Sequence, residues 1–382
     1  MNKSNNKALL MVANVDWFFI SHRLCIAQEA VKQGWTVYVA AEDTGRSEEI
    51  NANGIQFIDF KFSRSGTNPL KELNTLRLFK KLYKKIQPDV VHHITLKPVI
   101  YGSLAAKYVN VKGVVNAVSG LGYNFTGDRQ STVQKAMLFL MKKGFDRENL
   151  TVIFQNQDDQ NELTALGVVN EKNKIVRIKG SGVDLEKFKN NEFPSFDRIK
   201  ILLPIRMLWD KGVKELKEAS DLLKDKYFDK VQFILAGLAD VENKAGVPSS
   251  YLKEWEDGEY VKWIGYQKDI VKVYNDSHIV VLPSYREGMP KTLIEGCAAG
   301  KAIVTTDAIG CRECVEEGVN GYKDPVYAVK ELAEALEKLI LNPDLIIKMG
   351  EMSRKKAELE FDVKNVISQH INIYEDLISK RV

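Results

Sequence analysis

The chain has 382 residues, of which 45% are hydrophobic and 28% charged, with 25 Gly and 10 Pro. That composition excludes collagen-like, disordered and low-complexity classes, and a chain this long buries cores that need no cross-links. Net charge is only +4, but residues 1–190 carry 27 Lys and Arg against 18 Asp and Glu, and the remainder 28 against 33. A basic half joined to an acidic half suggests an anionic surface or partner facing the first half.

Lys3 and Lys7 precede an apolar stretch at 8–15, which imitates a short secretory signal. Asp16 ends the stretch and no small-residue cleavage site follows, so it reads as a first core strand. Short apolar runs predict further strands at 36–41, 55–60, 89–93, 113–117, 151–154 and 174–178. Stretches of period 3.6 at 70–86 and 132–145 predict helices between them. Residues 187–197 are polar, contain Pro194 and lack periodicity, and read as an interdomain linker. A second series of strands follows at 199–204, 231–236, 261–264, 279–283 and 302–305, with helices at 213–226 and 291–299. Three helical segments, 326–341, 343–359 and 363–379, end the chain.

Such alternation predicts an α/β protein with parallel sheets covered by helices on both faces. The expected architecture is two facing doubly wound, Rossmann-like domains, 1–190 and 198–362, with an interdomain cleft. Ligands bind such sheets at the carboxyl ends of the strands. The four cysteines do not suit a structural zinc site. Cys25 and Cys297 fall in helical stretches, and Cys311 and Cys314 form one C-x-x-C without a second pair. A reduced, cytosolic protein is expected. No apolar run approaches a membrane span. No P-loop, dinucleotide fingerprint, H-E-x-x-H or G-x-S-x-G occurs, and no nucleic-acid-binding signature appears.

The most informative segment runs from the strand at 279–282 through Pro283, Ser284, Glu287 and Gly288 to Pro290, which opens a helix carrying Glu295. Backbone N–H groups at that helix start, from Met289 through Lys291 and Thr292 to Leu293, make a phosphate site. Gly288 allows close approach of a ligand. Glu287 and Glu295 are acceptor-only groups suited to sugar hydroxyls.

These residues follow the pattern P-S-x-x-E-G-x-P-x-x-x-x-E, which resembles the signature of retaining, nucleotide-sugar-dependent glycosyltransferases of family 4, with the GT-B fold. Arg206 and Lys211-Gly212 resemble the family's R-x4-KG element. Gly180, Gly182, Asp184 and Phe188 resemble the close of its first domain. Gly265, Tyr266 and Ile270 resemble the loop that receives the nucleotide base. Gly300 to Val304, then Gly310, Glu313, Gly318 and Gly321, complete the series. Within the family the chain is most similar to bacterial α-1,3-N-acetylgalactosaminyltransferases acting on undecaprenyl-diphosphate-linked oligosaccharides, and to O-antigen and capsule transferases.

The resemblance implies a first domain for the acceptor, joined by the C-terminal helix 363–382, and a second for the UDP-sugar. It implies catalytic roles for Glu287, Arg206 and Lys211, with no metal and no cofactor. Two fixed cations would stabilise charge on the departing diphosphate, and the D-x-D motif of metal-dependent relatives is absent. On the acceptor side the candidates are Asn14, His22 and Arg23 in a loop after the first strand, His93, the second of two adjacent histidines that end the fourth strand, with Lys97 just beyond it, and Ser119 and Gly120. The family's usual Gly-Gly loop and the His before Gly120 are both missing. The expected partners are a UDP-sugar, an undecaprenyl-diphosphate-linked saccharide and an anionic membrane surface, without nucleic acid. Lys71, Arg77, Lys80, Lys81, Lys84 and Lys85, with the apolar and basic run 136–143, point to peripheral attachment on the inner face of the bacterial cytoplasmic membrane. Two other readings are a UDP-sugar 2-epimerase and a non-catalytic sugar-nucleotide-binding subunit of a glycan assembly complex. The E-x7-E pattern argues against the first. Retention of Glu287, Arg206 and Lys211 argues against the second.

Overall fold

The computed structural model describes residues 7–62, 69–121, 132–189, 193–240, 243 and 245–379. They form two compact units. One runs to Ser181 and takes back the chain from Lys364; the other is Gly182–Val363.

In the first unit the strands are β1 (Ala8–Val15), β2 (Thr36–Glu42), β3 (Gln56–Asp59), β4 (Val90–His93), β5 (Gly113–Val118), β6 (Leu150–Phe154) and β7 (Asn173–Arg177). Among the described residues they pair in parallel in the order β3-β2-β1-β4-β5-β6-β7. The helices are α1 (Asp16–Lys32), α2 (Ser47–Asn51), α3 (Pro69–Ile86), α4 (Ser103–Tyr108), α5 (Thr132–Phe145) and α6 (Gln157–Ala165). In the second unit β8 (Ile199–Pro204), β9 (Val231–Ala236), β10 (Val261–Gly265), β11 (Ile279–Leu282), β12 (Ala302–Thr306) and β13 (Gly321–Asp324) pair in parallel in the order β10-β9-β8-β11-β12-β13. Its helices are α7 (Val213–Tyr227), α8 (Ser249–Trp255), α9 (Ile270–Asn275), α10 (Lys291–Ala298), α11 (Val329–Ile340) and α12 (Pro343–Glu360), and α13 (Val363–Ser379) ends the chain.

Central strands such as β4, β5 and β11 are buried along their whole length. Helices cover both faces, so these strands are buried on both; β11 is a continuous apolar run, while β4 and β5 also bury His92, His93 and Asn116. In each sheet the order reverses once, between β1 and β4 and between β8 and β11. The two crossovers leaving such a point go to opposite faces, which opens a crevice at the strands' carboxyl ends.

Two expectations change. β13 was not foreseen: it is a short edge strand, half polar, and no apolar run announces it. Residues 187–197 are not a linker between units; the boundary falls at Ser181 and Gly182. Phe188 is buried in the second core, and Phe193 and Phe196 pack against it, so three aromatic rings outweigh the polar character of the segment. As the resemblance implied, α13 belongs to the first unit, where Val366, Ile371, Ile373, Tyr374 and Leu377 join its core.

Candidate functional site

In the second unit the two loops that matter follow the two strands flanking the reversal. After β8 come Arg206 and a tight turn, Trp209–Lys211, closed by Gly212 before α7 begins. After β11 come Pro283 to Pro290, which lead into α10. The Lys211 ammonium lies 2.6 Å from Glu287 Oε1. Only 19% of the Lys211 side chain and 17% of the Glu287 side chain are exposed, so the pair is shielded but reachable. Burial alone would depress the Lys211 ammonium's pKa, but Glu287 and Asp210 outweigh it and raise it. Lys211 is therefore a fixed cation.

The Glu287 loop is held from three sides. Ser284 Oγ lies 3.0 Å from both Asp210 O and Glu287 Oε1. The Tyr285 N–H donates to Asp210 O at 3.0 Å, and the Glu287 N–H to Ile309 O at 2.9 Å. Gly212 and Gly310 make these approaches possible. Both have left-handed backbone, φ 74° and 80°. A Cβ on Gly212 would fall 2.1 Å from Pro283 O, and one on Gly310 2.4 Å from Glu287 O. Neither position accepts another residue without moving the loop.

Glu295 sits in α10 with 14% of its side chain exposed and Lys291 Nζ 3.5 Å away. Burial raises its carboxyl above the usual range, against the opposing pull of Lys291 and the Tyr274 hydroxyl. Arg206 is more open, with 56% of its side chain exposed and Asp240 Oδ2 at 3.4 Å. Sequence reasoning missed Asp240, because nothing in the sequence relates it to Arg206. Gly265 (φ 60°) ends β10, Tyr266 is 68% exposed, and Ile270 is half-buried at the start of α9. Gly288 and Met289 are buried; Met289 Sδ lies 3.5 Å from Cys314 Sγ. The expected donor set at 289–293 is reduced. Pro290 stands at the cap position and has no N–H, and the Leu293 N–H goes to Pro290 O at 3.0 Å. The C-x-x-C thiols, Cys311 and Cys314, are buried beneath this loop, and burial pushes Cys311 up to about 12.

In the first unit the acceptor candidates divide. Asn14, at the end of β1, accepts a hydrogen bond from Thr95 Oγ1 of the loop after β4 at 2.7 Å, so these two strand ends meet at the reversal. The loop expected at 14–23 is absent. β1 passes directly into α1 at Asp16, whose buried carboxylate accepts the N–H groups of Trp17, Thr44 and Arg46 at 2.6, 2.7 and 3.0 Å. His22 and Arg23 therefore lie in the second turn of a helix. His22 stacks on Phe18 at 4.2 Å. Arg23 is 3% exposed, donates to His22 O at 2.9 Å, and burial lowers its pKa.

His93 is a correction. It is fully buried, Nε2 lies 2.7 Å from Tyr83 Oη and Nδ1 2.7 Å from Asn116 Oδ1. Burial depresses its pKa to about 4. Both ring nitrogens are occupied inside the sheet, so it packs rather than facing a ligand. Lys97 has 18% of its side chain exposed and pairs with Glu72 at 2.6 Å. Ser119 Oγ lies 3.4 Å from Ile94 O, and Gly120 has φ 99°. Gly122 lies outside the described residues.

Residues 184–356 match the family described as "Glycosyl transferases group 1", and residues 8–156 the one described as "Glycosyl transferase 4-like". The chain is 30% identical over 360 residues to the N,N'-diacetylbacillosaminyl-diphospho-undecaprenol alpha-1,3-N-acetylgalactosaminyltransferase of Campylobacter jejuni, covering 90% of this chain and 91% of that one. It is 26% identical to the putative glycosyltransferase EpsD of Bacillus subtilis, covering 96% of each. Among solved structures, a glycosyltransferase from Rickettsia africae superposes with a TM-score of 0.76 at 21% identity over 98% of this chain and 99% of that one. Anabaena HepE in complex with UDP does so with a TM-score of 0.77 at 19% identity over 97% and 100%. Two Rossmann-like units, a signature spread over both strand-end loops and a relative of this similarity along nearly the whole length lead to one conclusion: the chain belongs to the GT-B glycosyltransferases and is a hexosyltransferase.

Proposed function

We propose that the chain is a retaining, metal-independent enzyme that moves a hexose or hexosamine, N-acetylgalactosamine foremost, from a UDP-sugar to an undecaprenyl-diphosphate-linked saccharide in bacterial surface-glycan or glycoprotein-glycan synthesis. The observation that carries this is the shielded Lys211–Glu287 pair at the β8/β11 reversal. The described activity of the Campylobacter relative supports the acceptor class and the sugar. The UDP complex of HepE supports the donor.

In this reading the bond between the sugar's anomeric carbon and the diphosphate oxygen breaks, and charge grows on the diphosphate. Lys211 and Arg206 stabilise that charge where it develops, aided by the partial positive end of α10. Glu287 holds the donor sugar's hydroxyls, Glu295 the ribose, and the segment 265–270 the base. The acceptor oxygen bonds the anomeric carbon on the face the diphosphate leaves, and its proton passes to the departing phosphate oxygen. No side-chain base is required. Fixed cations do here what a divalent ion does elsewhere. With a panel of UDP-sugars and a polyprenyl-diphosphate saccharide, one donor is consumed and excess EDTA leaves the rate unchanged. Complete loss on EDTA, restored by magnesium or manganese, would sink the metal-independent part.

The lipid-linked acceptor calls for contact with an anionic leaflet on the enzyme's cytoplasmic side. Helix α3 buries Thr75, Phe79, Leu82 and Tyr83 and exposes Arg77, Lys81, Lys84 and Lys85. Lys80 instead lies over the Tyr108 ring at 3.6 Å. On α5, Leu138 and Met141 are buried while Phe139 is 58% exposed. No helix among the described residues is long and apolar enough to cross a membrane. Replacing Lys81, Lys84 and Lys85 by Glu weakens flotation with anionic vesicles at least about tenfold, since each lysine near such a surface contributes ~1 kcal/mol. UDP-sugar binding is unchanged. Flotation equal to the parent's would make α3 an ordinary solvated face.

A further inference from the structure

Helix α7 carries a buried acid with no evident role in the core. Glu215, in its first turn, is 7% exposed. Both its carboxylate oxygens lie 2.8 Å from the Tyr285 hydroxyl. A buried carboxylate costs free energy unless its environment compensates it. The amino end of α7 supplies part of that compensation and the Tyr285 phenol another. Tyr285 stands two residues before Glu287. Glu215 stands four residues after Lys211.

We infer that Glu215 is a positioning residue which, through the Tyr285 hydroxyl, sets the spacing between Lys211 and Glu287. The inference rests on the donor-site reading above. The geometry is a closed ring. Lys211 is tied to α7 through the fixed turn at Gly212. Glu215 reaches across to Tyr285, and the chain runs from Tyr285 to Glu287, which returns to Lys211 at 2.6 Å. Backbone bonds from the Tyr285 N–H to Asp210 O and from the Glu287 N–H to Ile309 O hold the main chain of this loop. The phenol bond adds a side-chain tie from the loop to α7, across from Lys211.

Two further features fit. Tyr327, just beyond β13, places its ring 4.3 Å from that of Tyr285. It does so from a left-handed conformation, φ 69°, uncommon for a residue with a side chain. Such a conformation persists where its surroundings over-determine it. Burial first, and then the Glu215 carboxylate, raise the Tyr285 phenol's pKa, so it remains a proton donor throughout the working range.

Four variants and their structures test this. Glu215→Ala and Tyr285→Phe each lower kcat by about ten- to a hundred-and-fiftyfold, the range expected when one charge-assisted hydrogen bond is lost. KM for the donor stays within about twofold, because the ribose and base contacts are untouched. The double variant is no worse than the poorer single one, since both remove the same bond. Glu215→Gln keeps kcat within about twofold, because its amide oxygen still accepts the phenol proton. Multiplicative losses in the double variant, a Gln variant no better than Ala, or parental kcat in Tyr285→Phe would overturn the inference. Crystal structures separate its failure from that of the donor reading. In Glu215→Ala the Lys211–Glu287 distance opens beyond about 3.5 Å. If the parent protein transfers no sugar, the donor reading falls, and an unchanged distance in that variant then rejects the positioning role by itself.

Discussion

Glu287→Gln lowers kcat by about ten- to a thousandfold, while Glu295→Gln mainly raises KM for the donor and weakens binding of UDP alone. The donor sugar changes shape and charge as its bond breaks, so a carboxylate on its hydroxyls can bind the transition state more tightly than the ground state. One or two charge-assisted hydrogen bonds at ~1.5–3 kcal/mol give the stated range. Glu287 also sits 2.6 Å from Lys211. Its neutralisation therefore loosens the cation assigned to the diphosphate, which places the loss on kcat rather than KM. The ribose hardly changes along the reaction, so Glu295 contributes uniform binding. Gln at 295 keeps volume and hydrogen-bonding capacity beside Tyr274 and Lys291, so the fold survives and the kinetic readout is clean. Steady-state kinetics with UDP titration decide the matter. Full kcat in Glu287→Gln, or a loss of UDP affinity confined to that variant, would exchange or abolish the two roles.

Gly212→Ala destabilises the second unit by about 2–5 kcal/mol and removes most activity. Left-handed backbone costs a residue with a Cβ about 1–2 kcal/mol, and overpacking adds about 1–3 more. The clash here is with backbone, 2.1 Å from Pro283 O, so no side chain can swing aside. For a unit of this size that lowers the melting temperature by about 4–20 °C. Relief requires the 209–212 turn and the 283–288 loop to part, which separates Lys211 from Glu287. Gly258→Ala is the control. It shares the backbone conformation, φ 80°, but its Cβ would meet nothing within 4 Å. Only the conformational cost remains, and activity is retained. Equal losses in the two variants, read by calorimetry and activity, would show that the close approach at Gly212 carries no weight.

Much of this was legible before any coordinates. The strands between helices stand out because both sheet faces are covered, which makes strands such as β1, β9 and β11 nearly unbroken apolar runs. The strand-end loops stand out through residues that only a tight turn or close approach requires, as at Gly212 and Gly310. What stayed hidden depends on contacts between distant positions. Edge strand β13 needs little apolar content. His93 looked like a ligand because two adjacent histidines ended a strand, yet Tyr83 and Asn116 close both its nitrogens. The segment after β1 was expected as a loop, where the resembling family usually has a Gly-Gly loop, whereas the Asp16 carboxylate organises a direct passage into α1. Glu215 and Asp240 have partners 70 and 34 positions away, a relation no local pattern expresses.

Mass spectrometry of the acceptor tests the central claim most directly. The purified protein is incubated with the donor it consumes and a polyprenyl-diphosphate saccharide. The account predicts that the acceptor gains the mass of one sugar residue, in step with release of UDP. Consumption of the UDP-sugar with an unchanged acceptor mass would contradict it, and release of a free or epimerised sugar would favour the epimerase reading.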